Sequence, residues 1–191
     1  MPVAIVTGSN KGIGFAIVRA LCKKYQGDVY LTSRDEGRGL AAVDTLRQEG
    51  LEPNFHVLDI GNEDTIVKLR DFIKEKYGGI DILVNNAGIA FKQNATEPFA
   101  VQAEVTLKTN YWDNKRACEI LFPILNSGAR VVNVSSSVGF LGHLMNRVSR
   151  GWRLRENVHV SSLVTRRHQR TRPRLRSSPR LSPRRISRWS S

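Results

Sequence analysis

Eight residues near the start of the chain, Thr7-Gly8-Ser9-Asn10-Lys11-Gly12-Ile13-Gly14, have the types and spacing needed to hold a phosphate. Three glycines within seven residues let the backbone turn tightly and bring N–H groups close to an anion. A helix starting here adds its unpaired N–H groups and the positive end of its dipole. The run follows apolar Val3-Ala4-Ile5-Val6 and opens an apolar-periodic segment from Ile13 to Leu21. The pattern is therefore strand, glycine turn, helix, which suits the diphosphate of a dinucleotide. In isolation the same pattern also fits a purely structural turn.

Other polar residues extend this chemistry. About 20 residues beyond the glycine turn, a dinucleotide site that binds an unphosphorylated ribose carries an acid. Here Ser33 is followed by Arg34, and Lys11 lies inside the turn. Two cations suit a 2′-phosphate and point to NADP(H), while the adjoining Asp35 leaves NAD open. Asp59-Ile60 ends a further apolar run, where the carboxylate could accept from an adenine amino group or cap a helix. Asn85-Asn86-Ala87-Gly88 places paired amides and a glycine at another strand end, where they could bond backbone and cofactor together or form a plain turn.

The elements that must position these residues alternate. Strands are predicted at Val3–Thr7, Asp28–Ser33, Asn54–Leu58, Ile80–Val84 and Ala129–Val134. Helices are predicted at Ile13–Tyr25, at Gly37–Glu49 with Leu40, Val43 and Leu46 on one side, and from an Asn62 N-cap through Ile66, Leu69 and Ile73. Ala103–Leu125 is expected to be mostly helix, with Val105, Leu107, Tyr111, Cys118, Leu121 and Leu125 forming its apolar side. Strand and helix in alternation predict an α/β fold with a doubly wound parallel sheet. Such sheets bind ligands beyond the C-terminal strand ends, where Thr7, Ser33, Asp59, Asn85 and Ser135 all fall.

Charge divides the chain. The 191 residues carry a net charge of +13, yet residues 1–143 hold 16 basic and 16 acidic side chains. Residues 144–191 hold 14 arginines, no lysine and one acid, Glu156. The expected organisation is a nucleotide-binding domain over 1–143 and an Arg/Ser/Pro-rich, disordered tail over 144–191. The charge excess thus gives no reason to assign the domain itself to nucleic acid; tail binding to phosphates is the alternative. Cys22 and Cys118 fall in predicted helices and read as small apolar residues, and no metal is expected. With no apolar run near 20 residues and no charged leader before the first strand, a reducing, cytoplasmic setting without membrane contact is expected.

Taken together, the segments resemble the short-chain dehydrogenase/reductase family. The resemblance rests on Thr7–Gly14, Asp59, Asn85–Gly88, Asn110 within Lys108-Thr109-Asn110, and Val132-Asn133-Val134-Ser135-Ser136, in order over about 135 residues. It is similar above all to the family's NADPH-dependent carbonyl-reductase branch, through S-N-K-G-I-G, L-V-N-N-A-G-I-A-F-K, Q-A-E-V-T-L-K-T-N and R-V-V-N-V-S-S. The resemblance implies a Rossmann-like fold, here incomplete at its C-terminal side, with NADP(H) as cofactor and a small carbonyl compound as substrate. It implies that Gly8, Asn10, Gly12, Ile13 and Gly14 shape the cofactor turn, that Lys11 and Arg34 hold the 2′-phosphate, and that Asp59 and Ile60 face the adenine. It further implies that Asn86 lines the nicotinamide side, that Ser136 bonds the substrate carbonyl, and that Asn110 holds a water in a proton relay. Gln102 lies in a stretch implied to contact glutathione conjugates, and the oligomeric state is left open.

One part of the family pattern has no match. Relatives donate the proton from a tyrosine in Tyr-x-x-x-Lys, whose lysine lowers a phenol pKa that is ordinarily about 10. The tyrosines here are Tyr25, Tyr30, Tyr77 and Tyr111, and the last lysine is Lys115, so none of these residues follows Ser136. Tyr111 and Lys115 have the spacing but immediately follow Asn110 on another helix. Impaired catalysis is expected, along with a tail of foreign origin (another reading frame or an unusual splice) and a fifth strand with an exposed edge.

Overall fold

A computed structural model describes residues 1–136; the expected tail over 144–191 and the end of the expected domain lie outside the described residues. Five parallel strands form one sheet in the order β3-β2-β1-β4-β5. They are β1 (Val3–Val6), β2 (Asp28–Ser33), β3 (Asn54–Val57), β4 (Ile80–Asn85) and β5 (Leu125–Asn133). Between them run α1 (Gly12–Lys24), α2 (Glu36–Gln48), α3 (Glu63–Tyr77), α4 (Phe99–Leu107) and α5 (Asn114–Leu121). The chain winds outward from β1 to β3, then α3 carries it back to place β4 on β1's other side. The strand order reverses there, and parallel sheets open a crevice at that point.

Alternation along β1 builds two cores. Val3 and Ile5 face α3 and α5, packing with Ile66, Leu69, Ile73 and Leu121. Ala4 and Val6 face α1 and α2, packing with Val18, Val43 and Leu46. β1 is buried on both faces, which explains its unbroken apolar run. Asn62 caps α3 as expected, accepting from the Asp64 N–H at 3.1 Å, and Gly78 ends that helix at φ 78°.

The lower end of the sheet is fastened by polar side chains. Tyr77 donates a short hydrogen bond to Asp28, Tyr30 and Tyr77 hydroxyls lie 3.0 Å apart, and Lys76 donates to Tyr30 at 3.2 Å. Burial, reinforced by the bonds to Asp28 and Tyr30, holds the Tyr77 phenol well above its ordinary range.

Three expectations are corrected. Leu40 does not share the buried side of α2: it is 45% exposed, and Gly39 and Ala42 take that side with Val43 and Leu46. The expected single helix over Ala103–Leu125 is instead α4, a π-helical turn over Lys108–Asp113, α5 and a 3-10 turn over Phe122–Ile124. The π turn inserts a residue. Val105, Leu107 and Tyr111 are exposed, α4 burying no residue of its own, while Leu121 in α5 is buried. Leu125 belongs to β5, which begins earlier than its apolar run suggests and is bulged where it leaves Ile80 for Ile82.

Leu46→Ala is expected to cost about 2–5 kcal/mol and Leu40→Ala less than about 0.5 kcal/mol, read from urea midpoints. The raised Tyr77 pKa favours the protonated fold, so its contribution is full below pH about 10 and is lost as pH rises above that value. Tyr77→Phe should therefore flatten the alkaline decline of the urea midpoint.

Candidate nucleotide-binding site

Gly8 and Gly12 adopt left-handed backbone, with φ of 59° and 60°. These angles turn the chain from β1 into α1, and they are the reason glycine is needed at both positions. Gly14 is needed for space. A Cβ there would lie 2.8 Å from Ser9 Cα and closer still to the Asn86 amide nitrogen. At Gly8 a Cβ would meet Ala87 Cα at 2.8 Å. Glycine thus lets the loop after β4 press directly onto the turn after β1.

Hydrogen bonds hold that approach. The Asn86 amide donates to the carbonyls of Thr7 at 2.9 Å and Gly8 at 3.0 Å. Thr7 Oγ1 accepts from the N–H groups of Asn86 at 3.0 Å and Ala87 at 2.9 Å. Buried Ser9 ties the turn to β2, donating to Val6 O at 2.8 Å and accepting from the Thr32 N–H at 2.9 Å. α1 then starts at Lys11 with no side-chain cap and no acid in its first turn. Its leading N–H groups stay available to an anion.

Cations gather at one side of the turn. A cavity of about 340 Å3 is lined by Asn10, Lys11, Phe15, Arg38, Ala42 and Thr45. Arg34 is exposed at the end of β2 and is not part of that lining. Arg38, which sequence reasoning passed over, takes part in it. The available signal was its place in the first turn of α2. Asp35 is the N-cap of α2, accepting from the Arg38 N–H at 2.8 Å and lying 3.6 Å from the Arg38 guanidinium. The carboxylate that left NAD open thus caps α2 through one oxygen and has the Arg38 guanidinium beside the other.

The remaining predicted residues take these places. Asp59 accepts from the Gly61 N–H at 2.9 Å, and Thr65 brackets its backbone through bonds of 3.0 and 2.8 Å. Ile60 is buried, and a second cavity of about 430 Å3 opens beside Ile60, Gly61, Trp112 and Arg116. Asn110 Oδ1 accepts from the Ile89 N–H and its Nδ2 donates to Ile89 O, both at 2.8 Å. Ile13 is exposed at the head of α1, and Ser136 is exposed just past β5. Gln102 donates to Glu97 O at 2.8 Å. Cys118 accepts from the Asn85 amide at 3.3 Å, and burial pushes its thiol above the ordinary range. Among the described residues, no helix is long and apolar enough to cross a membrane.

The short chain dehydrogenase family profile matches residues 2–148. The chain belongs to that family. Carbonyl reductase (NADPH) 1 of Rattus norvegicus is 61% identical over 137 residues, covering 72% of this chain and 50% of the relative. Among solved structures, salutaridine reductase from Papaver somniferum is 36% identical with a TM-score of 0.66, over 74% of this chain and 60% of that one. A metagenomic short-chain oxidoreductase in complex with NADP is 28% identical with a TM-score of 0.60, over 71% and 62% of the two chains. The chain spans about half the length of the curated relatives it matches.

Gly14→Ala reverses the usual sign of a helical glycine replacement. It is expected to destabilise, because the new methyl meets Ser9 and Asn86, whereas Gly37→Ala in α2 meets nothing nearer than Asp35 Oδ1 at 3.6 Å. The latter should stabilise by about 0.5–1 kcal/mol on helix propensity. Paired urea titrations check both.

Proposed function

We propose that residues 1–143 form an NADP(H)-binding domain of the carbonyl-reductase type whose capacity for turnover is impaired, with residues 144–191 as a separate tail. The observation that carries this reading is the cationic side of the glycine turn. Lys11 and Arg38 line one cavity, Arg34 is exposed at the end of β2, and Asp35 caps α2. A 2′-phosphate is the ligand group that this charge pattern favours over a bare ribose diol.

The residues present suit the cofactor. Gly8, Asn10, Gly12, Ile13, Gly14 and the uncapped start of α1 would receive the diphosphate. Lys11, Arg34 and Arg38 would hold the 2′-phosphate, and Asp59 and Ile60 would face the adenine. Asn86 would lie at the nicotinamide end. When bound, NADPH supplies a hydride to a ketone, aldehyde or quinone carbonyl. Ser136 would donate to the carbonyl oxygen and stabilise charge developing there. Asn110 would contribute to positioning at the same mouth and, by resemblance, to a water relay. The impairment in this reading lies with the proton, since residues 112–191 contain no tyrosine. A positioned general acid contributes about 10²–10⁴-fold.

Titration followed by nicotinamide fluorescence tests the binding. NADPH should bind at least about tenfold more tightly than NADH, and Lys11→Ala should remove most of that difference, as expected for one charge-assisted phosphate contact. With a quinone, turnover should fall about 10²–10⁴-fold below that of the rat relative. Turnover matching the relative overturns the impairment, and absence of NADPH binding overturns the whole reading.

A further inference from the structure

Asn114 opens α5, directly after the π-helical turn. Its backbone N–H goes to Tyr111 O, three residues back. In a regular α-helix that N–H would go to Asn110 O, and in a π-helix to Thr109 O. The Asn114 side chain serves those carbonyls instead: Nδ2 lies 3.1 Å from Thr109 O and 3.4 Å from Asn110 O. The same nitrogen lies 3.0 Å from Ala87 O, in the loop that follows β4.

That third contact leaves the helix. Asn110, four residues earlier, holds the same loop through both Ile89 bonds. Two asparagines one turn apart therefore grip Ala87 and Ile89. Between these residues Gly88 admits no spare room, since a Cβ there would sit 3.1 Å from Asn110 Oδ1. On its other side, Ala87 donates to Thr7 Oγ1 and packs against Gly8. Displacing Ala87 therefore moves the glycine turn and its neighbour Asn86.

We propose that Asn114 is a positioning residue for the nicotinamide end of the cofactor mouth, acting by clamping Ala87 to the π-helical turn. This rests on the NADP(H) reading above. The carboxamide supplies two donor hydrogens on a neutral arm long enough to reach both the helix carbonyls and Ala87 O. A serine hydroxyl has one donor on a short arm, which suits the carbonyl four residues back in its own helix. Serine therefore separates a role inside the helix from the clamp across to the loop.

The test uses the full 191-residue chain with Asn114→Ala and Asn114→Ser. Without cofactor, amide hydrogen exchange at residues 87–89 should quicken about tenfold or more in both variants, with β1 and β2 amides unchanged. If Asn114→Ser exchanges like the wild type there, the proposal is overturned, because helix bonding alone then suffices. With nucleotides, NADPH affinity should fall about three- to tenfold in both variants. Affinity for 2′,5′-ADP, which lacks the nicotinamide end, should stay within about twofold. Equal losses for the two ligands mean general loosening and overturn it. A wild-type chain that binds neither nucleotide refutes the cofactor reading and the clamp's assigned purpose, while hydrogen exchange still shows whether the clamp exists.

Discussion

The tips of β1 and β4 stand so close that the turn between β1 and α1 has room for a hydrogen where other residues carry a carbon. Gly14 and Gly8 sit against Ser9, Asn86 and Ala87. This contact is the constraint from which the rest of the upper face follows. It brings the Asn86 amide onto two carbonyls of the turn and lets Thr7 receive two backbone N–H groups. Those bonds satisfy polar backbone that would otherwise be stranded at the strand ends. They also fix the exit direction of α1, so its unpaired N–H groups open on the crevice made by the reversal of strand order.

Much of this was legible because it is local. The four residues of β1 read as buried because both its faces are covered, and Asn62 read as a cap because a side-chain oxygen two residues before an N–H is a short-range arrangement. The unreadable parts depend on other segments. Asp35 looked available to a ribose until α2 and Arg38 were seen to use it. Arg38 is not singled out by the sequence, because nothing in its neighbourhood tells which way the first turn of α2 faces. The segment from Val105 to Tyr111 carries apolar residues, but α4 and the π-helical turn after it bury none of their side chains, and spacing alone does not say which apolar residues find a partner. Asn114 offered no signal at all, since an asparagine in a helix ordinarily faces water.

The two ends of the sheet are held by different physics. Below, aromatic hydroxyls, a carboxylate and a lysine knit β2 to α3, with the Lys76 ammonium 5.1 Å from the Tyr77 ring centre and 5.7 Å from that of Phe72. Above, main-chain carbonyls meet side-chain amides from Asn86, Asn110 and Asn114. Carboxamides suit that end because they are neutral at every working pH and both donate and accept. At the β1–β4 junction itself the polar side chains that hold the loops are therefore uncharged. α4 contributes least to either core, with Phe99 and Leu107 exposed and no buried residue of its own.

The central pairing also dictates an order of events during synthesis. β2 pairs with β1 soon after it is made, Val3 opposite Asp28. The other flank of β1 waits for Ile82 to Val84, and the bonds from Asn86 to Thr7 span 79 residues. Loop closure over that separation carries an entropic cost that grows as the logarithm of its length. A chain emerging from the ribosome therefore carries the whole glycine run long before it has a phosphate cradle. Until Ile82 to Val84 are in place, β1 presents one edge of unpaired N–H and C=O groups on a strand of apolar side chains. The strand that leads into the glycine run is thus open to mispairing over that interval.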